Sequence, residues 1–417
     1  MELLPRISLP AIYGANLALF PRPAPGSCAW LPQDPVVLEM LTGSMLTIAG
    51  DMPVVCAASV ATPAGLQLLR DAGFSEPRPL LFRDDNDHDR HRSVLLQEGF
   101  KLVLQHAPYP AVAAPENYWI DPHLLSFLNN KGHLADLVEA RYLPERRAVA
   151  PGELELFWEK HPLPLVVKVA SDKTTGGGWD VAICRCSKDV RNAQKTFRHC
   201  RQVIVEEYLP ISRNLCLNYA ISPHGEITYL GSTEQITDQT GKYYGNWLHD
   251  GDETPVDAIA AGKRIAHRGF EKGYRGCVGM DMAILKNGEI RIYDLNFRIN
   301  GSTAALLLAD AVQNSYGQPV MRLAGLKCPR GFASMLDATY KAMHKGLFVP
   351  LVTCDPRATG MPGEAPRSSG LILGQSRAQI HERCARLQEL GLEVMSPANL
   401  FPDDAGNSKN SEVSTYA

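Results

Sequence analysis

Residues 279 to 301 read "GMDMAILKNGEIRIYDLNFRING". Two alternating apolar runs flank Asn287-Gly288, a dipeptide that tolerates the positive φ values of a two-residue hairpin turn. With those two residues as the loop, Lys286 faces Glu289, and counting outward sets Asp281 opposite Asp294. Like charges directly opposite destabilise a sheet unless a cation lies between them or one carboxyl takes a proton. A period of two puts Asp294, Asn296 and Arg298 on the face of Asp281, with Leu295 and Phe297 on the other. Two carboxylates, an amide and a guanidinium at the open end of a hairpin suit a hard divalent cation beside a phosphate. The structural alternative is a solvated sheet edge with an ordinary Asp-Arg pair.

The chain around this hairpin has 417 residues, 45% of them hydrophobic and 21% charged, which is ordinary for a globular protein of two or three domains. A net charge of -3 gives no basic footprint, so no nucleic-acid partner is expected. No apolar run reaches the roughly 18 residues of a membrane helix, and "MELLPRISLPAIYG" lacks a basic segment followed by an uninterrupted apolar one. The expectation is a cytoplasmic protein with no membrane contact. Its ten cysteines form no CxxC pair, and "CRC" at Cys184 to Cys186 reads as two reduced, buried thiols on one face of a strand.

Residues 1 to about 125 mix short strands ("MLTIAG", "PVVCAA", "KLVLQHA") with helical patterns such as "TPAGLQLLRDAGF", where Thr62 can cap and Gly73 can stop the helix. "RDDNDHDRHR", residues 83 to 92, imitates the start of a calcium loop at Asp85, Asp87 and Asp89. Arg90 and Leu96 stand where that loop needs Gly and Glu, which leaves a solvated loop. "DPHLLSFLNNKGHLADLVEARYLPE" reads as helix with a break near Asn129 to Gly132. Strands dominate from 162 to "GEITYLGST", before helices at "DAIAAGKRIAHRGFEKGY" and "STAALLLADAV". Residues 231 to 251, "GSTEQITDQTGKYYGNWLHDG", read as a long functional loop in which Glu234 either receives the proton of an attacking amine or serves as a structural carboxylate. "CDPRATGMPGEAPRSSG" reads as a flexible loop ahead of one more strand and helix, and the polar tail from Asp403 as disordered.

In "LVVKVASDKTTGGGWDVAICRC" two strands join through a loop ending in Gly176, Gly177 and Gly178. Three consecutive glycines cost backbone entropy, and free amides closing over an anion would use them. Lys168, in an otherwise apolar strand, wants a partner such as a phosphate, unless it snorkels to water. "RQVIVEEYLP" ends a third strand in Glu206 and Glu207, which can accept from a nucleotide's amino group or ribose, or be solvated. Neither GxxxxGK[ST] nor GxGxxG occurs.

With "NNKGHL", "VVKVASDKTTGGG", "VEEYL" and "MDMAILKNGEIRIYDLNFR" in this order, the chain resembles the ATP-grasp ligases over about residues 125 to 310. The N-terminal region and "LNNKGHLADL" are similar to the pre-ATP-grasp arrangement of pheganomycin-type peptide ligases and L-amino-acid ligases. The resemblance implies an α/β (α+β) ATP-grasp fold. A pre-ATP-grasp α/β domain would span 1-125, a linker helix and small subdomain with the glycine flap 126-207, and a large subdomain with the metal hairpin 208-330. A C-terminal α/β element over 331-402 and a disordered tail over 403-417 would follow. ATP and Mg2+ are the implied cofactors, with room for Mn2+. Lys131 and Lys168 would meet the ATP phosphates, Thr174, Thr175, Gly176, Gly177 and Gly178 would form the mobile flap, and Glu206, Glu207 and Leu209 the adenine hinge. Asp281, Asp294 and Asn296 would hold magnesium, and Arg298 would steady phosphoryl or acyl-phosphate oxygens. The implied activity joins amino acids or peptide pieces by an amide bond through an acyl phosphate, releasing ADP and phosphate.

Two departures stand out. Ser212-Arg213-Asn214 occupies the place where many ATP-grasp members carry an acidic residue for the ribose, and Asp281 and Asp294 stand where many have glutamate. The partners expected are small-molecule carboxylate and amine substrates, and a homodimer is compatible with the resemblance. A kinase acting on a small-molecule hydroxyl, or a non-catalytic nucleotide-binding module, are the alternatives.

Overall fold

The computed structural model describes residues 2-23, 29-107, 113-248 and 253-397, so the tail from Asp403 lies outside the described residues. Three sheets organise them. The first contains β1 (Leu17–Phe20), β2 (Pro53–Ala57), β3 (Arg78–Phe82) and β4 (Lys101–Leu104) in the order β3-β2-β1-β4, with parallel pairing throughout. Parallel neighbours need crossover connections, which helices Pro63–Asp71 and Asp85–Gln97 help supply. As expected, Thr62 caps the first, its hydroxyl accepting from the Gly65 amide at 3.2 Å, and Gly73 at φ 102° follows its end. The solvated loop expected at 83 to 92 is instead mostly helix. Asp84 accepts from the Asp87 amide, acids fill the first turn, and Asp87-Arg90 and Asp89-Arg92 pair three residues apart.

The second sheet is antiparallel, β5 (Arg146–Val149), β6 (Leu165–Ala170), β7 (Val181–Cys184) and β8 (Gln202–Glu207), in the order β5-β8-β6-β7. Val167, Val169, Val203 and Val205 bury one face with Val190 and Phe197 of helix Ser187–Phe197. The two CRC cysteines part company, because β7 ends at buried Cys184 and exposed Cys186 is the residue before that helix.

Nine strands build the third sheet. They are β9 (Ile211–Ile221), β10 (Ile227–Thr237), β11 (Tyr243–Leu248), β12 (Gly276–Leu285), β13 (Ile290–Asn296), β14 (Val320–Lys327), β15 (Phe348–Cys354), β16 (Arg367–Gly374) and β17 (Glu393–Val394). Eight run in the order β13-β12-β9-β10-β11-β14-β16-β15, and β17 pairs with β14. The long loop expected over 231 to 251 is thus largely the antiparallel β10-β11 hairpin. Its turn forms because the Asp238 carboxylate accepts from the Thr240 and Lys242 amides and Gly241 takes φ 88°. The polar residues that suggested a loop lie largely on strands. The flexible loop expected at 354 to 370 is shorter, with a helical turn at Pro356–Thr359 and β16 starting at Arg367.

Leu215, Leu217, Met280, Met282, Leu295 and Phe297 share one core with Ala258, Ala261 and Ile265 of helix Val256–Glu271. That leaves the opposite face at the open end of the β12-β13 hairpin for the polar side chains of Asp281, Asp294 and Asn296.

Candidate active site

The hairpin reaches its expected pairing by an unexpected route. The Leu285 amide, and not that of Lys286, donates to Glu289 O at 2.9 Å, so the loop is Lys286, Asn287 and Gly288, with Gly288 at φ 84°. Three-residue loops of this kind end in a left-handed residue. Pairing then runs Ile284 with Ile290, Ala283 with Arg291 and Met282 with Ile292. Tyr293 is an extra residue, and beyond it Asp281 stands opposite Asp294. The longer loop and the bulge cancel.

Gln235 on β10 donates to Asp281 Oδ1 at 2.8 Å, and the Asn296 amide donates to Asp281 Oδ2 at 3.3 Å. Lys131, in the turn after helix Pro122–Asn129, places Nζ 3.2 Å from Asp294 Oδ2 and 2.7 Å from Asp180 Oδ2. Burial alone would lower the Lys131 pKa, but Asp180 and Asp294 outweigh it and the net shift is upward. Lys168 Nζ lies 2.6 Å from Glu206 Oε2 and donates to the carbonyl of the bulged Tyr293 at 2.8 Å. Arg146 joins Glu206 at 3.5 Å. Arg298 is half-buried, donating to Asn129 Oδ1 at 2.8 Å and Thr175 O at 3.3 Å.

The structure therefore gathers Lys131, Lys168, Asp281, Asp294, Asn296 and Arg298 into one cluster, with Glu206 paired to Lys168. Glu207 is turned aside, its amide donating to Glu145 O and its carboxylate accepting from the Glu145 amide. Leu209 forms a small apolar patch with Ala283, Leu285 and Tyr293. Glu234 is not brought to the carboxylate pair. It neighbours Gln235 on β10 and so projects to the other face of the sheet, where it pairs with Arg377.

The glycine loop is docked. Thr175 bridges to Trp30, the Gly176 amide donates to Trp30 O at 3.1 Å, and Gly177 O accepts from the Tyr243 amide at 3.4 Å. A Cβ on Gly178, whose φ is 81°, would stand 2.4 Å from Gly241 O, so glycine is required there.

Residues outside the sequence-based set complete the cluster. Asp180, at the end of the glycine loop, and Asn129, in the quoted "NNKGHL", lie within motifs already singled out. Arg146 and Gln235 carry no local signal, because only strand pairing brings them near.

Four cations (Lys131, Arg146, Lys168, Arg298) meet four carboxylates (Asp180, Glu206, Asp281, Asp294). Burial first and Asp294 second push the Asp281 carboxyl up to about 6. A triphosphate entering this balanced cluster adds negative charge that a divalent cation would offset. Among the described residues no group of three or more His, Cys, Asp or Glu could hold a metal by itself. Magnesium does not need one, because it keeps waters and takes substrate oxygens beside one or two carboxylates, so Asp281, Asp294 and Asn296 fit it.

Solved structures share the fold. A N5-carboxyaminoimidazole ribonucleotide synthetase with ADP matches at 16% identity and TM-score 0.57, over 83% of this chain and 93% of that one. The Staphylococcus aureus N5-carboxyaminoimidazole synthetase with ADP matches at 11% and 0.56, over 92% and 99%. A biotin carboxylase from Campylobacter jejuni matches at 9% and 0.51, over 83% and 86%. Two family models match in chain order, the L-aspartate--L-methionine ligase N-terminal domain over residues 8–126 and the L-aspartate--L-methionine ligase ATP-grasp region over residues 144–296. Together they take in well over half of the sequence, and the chain belongs to this family of ATP-grasp ligases, which form an amide bond between amino acids using ATP.

Proposed function

We propose that the protein joins L-aspartate to L-methionine, with aspartate supplying the carboxylate and methionine the amine. Family membership supports the pair of substrates and sets aside the kinase and nucleotide-module alternatives. The observation that carries the assignment of roles is Asp281 facing Asp294 across the hairpin, with Lys131 at 3.2 Å from Asp294.

Lys131 and Lys168 bind the triphosphate, exchanging carboxylate partners for phosphate oxygens. Asp281, Asp294 and Asn296 hold magnesium, and the chemistry this ion supplies when bound is charge neutralisation at the phosphoryl group. Arg298, held by Asn129 and Thr175, faces the oxygens of the acyl phosphate. Thr174 through Gly178 form the flap, and their contacts with Trp30 and the β10-β11 turn keep water from the intermediate. Glu206 orients Lys168, while the Leu209 patch underlies the adenine beside Glu207. The three sheets support divisions near residues 125 and 207, with the strands beyond 330 continuing the large sheet. Among the described residues no helix is long and apolar enough to cross a membrane, and we place the reaction in the cytoplasm.

The test is ADP and phosphate release with magnesium ATP, across amino acids singly and in pairs, with mass spectrometry of the products. The expected outcome is release that needs both aspartate and methionine and yields their summed mass less water. Turnover with another pair, and none with this one, would reassign the substrates.

A further inference from the structure

The cleft between the first sheet and the glycine loop holds polar atoms without a partner. Gln105, His106, Ala107, Leu125, Thr174 and Arg298 are among its lining residues. Gln105 follows β4, and its amide nitrogen donates to Ile299 O at 3.1 Å, which fixes the side chain and leaves Oε1 buried and unpaired. His106 is only 7% exposed, and its Nε2 is unpaired as well, as is the Thr174 hydroxyl oxygen. Buried polar atoms are nearly always hydrogen-bonded, so the adjacent Gln105 and His106 acceptors point to a ligand that pairs them.

The cleft is one layer from the reacting groups. Arg298 donates to Thr175 O, and Lys131, beside Asp294, donates to the Thr175 hydroxyl at 3.4 Å. Burial and then Arg298 push the His106 imidazole down to about 3, so the ring is neutral. Neutral acceptors beside a cation favour a free amine over an ammonium ion, because Arg298 repels the charged form while both acceptors still take N–H bonds. A free amine is the form that attacks. Ala107 and Leu125 add an apolar wall.

We propose that Gln105 Oε1 and His106 Nε2 hold the nucleophilic amine of the acceptor amino acid, whose apolar side chain lies along Ala107 and Leu125. This rests on the ligase reading above. His106 acts in the tautomer protonated on Nδ1, and the flap residue Thr174 moves to admit the amino acid. The amine nitrogen bonds to the acyl carbon, the bond from that carbon to the phosphate oxygen breaks, and the amine proton leaves on the departing phosphate as hydrogen phosphate. No ionisable side chain has to take it, which agrees with Glu234 lying on the far face.

The experiment measures KM for amine, carboxylate donor and ATP in wild type, His106→Phe, Gln105→Met and His106→Asn. Loss of one buried hydrogen bond should raise the amine KM about tenfold in the first two variants. KM for ATP and donor should stay within about twofold, and His106→Asn, which keeps an acceptor, should recover part of the loss. Wild-type ligation with an unmoved amine KM in the variants overturns this proposal alone, as does an equal rise for all three substrates. Wild type that condenses no amino acids overturns the ligase reading and this proposal with it.

Discussion

Asp281 and Asp294 face each other because two one-residue departures from regular pairing cancel, a three-residue loop and the bulge at Tyr293. The same bulge presents the Tyr293 carbonyl to Lys168, so one irregularity serves both the carboxylate pair and the lysine. Asp294→Asn removes a proposed metal ligand and relieves repulsion. It should lower kcat/KM by about a thousandfold or more while leaving Tm unchanged or higher. Near-normal ADP release from this variant would exclude the metal assignment.

The raised Asp281 carboxyl makes stability depend on pH. Its folded value of about 6 lies above the unfolded value of about 3.9, so the folded state binds this proton more tightly. The group therefore contributes stability below about pH 4 that is lost as pH rises through 6, on the order of 3 kcal/mol without metal. Melting curves across that window for wild type and Asp281→Asn isolate the effect of the Asp281-Asp294 pair, since carboxylates outside the pair cancel in the difference. Wild type should lose stability relative to the variant as pH rises, and magnesium with a non-hydrolysable ATP analogue should reduce the loss.

Lys168 and Glu206 are almost fully buried as a pair. Lys168→Met leaves the Glu206 charge with only the more distant Arg146, which should cost about 3-5 kcal/mol. Adding Glu206→Gln should restore much of that stability without restoring nucleotide affinity. Calorimetric titration of ATP into both variants checks this, and full affinity in the double variant would remove Lys168 from the phosphate site.

Gly178→Ala puts a methyl group against Gly241 O at a left-handed φ. The glycine loop then docks poorly, and the fold, which does not rest on this loop, should keep its Tm within a few degrees. ADP release per dipeptide formed should rise severalfold as water reaches the intermediate. A ratio equal to wild type would show that flap docking does not exclude water.

The sequence alone determined the elements whose signals are local. Alternation and Asn287-Gly288 marked the carboxylate hairpin, Thr62 and Gly73 bounded a helix, and the glycines of residues 176 to 178 marked a loop suited to closing over an anion. The Asp281-Asp294 pairing was legible too, although the loop length behind it was not, because the bulge at Tyr293 depends on the neighbouring strand and on Lys168. Tertiary structure decided which charges meet. Lys131 finds Asp180, Lys168 finds Glu206, and Gln235 reaches Asp281 from β10, contacts between elements far apart in sequence that no period along the chain encodes. It also sent Glu234 to the far face, since neighbouring strand residues point to opposite sides and only the pairing of β10 with β9 says which side holds the carboxylates.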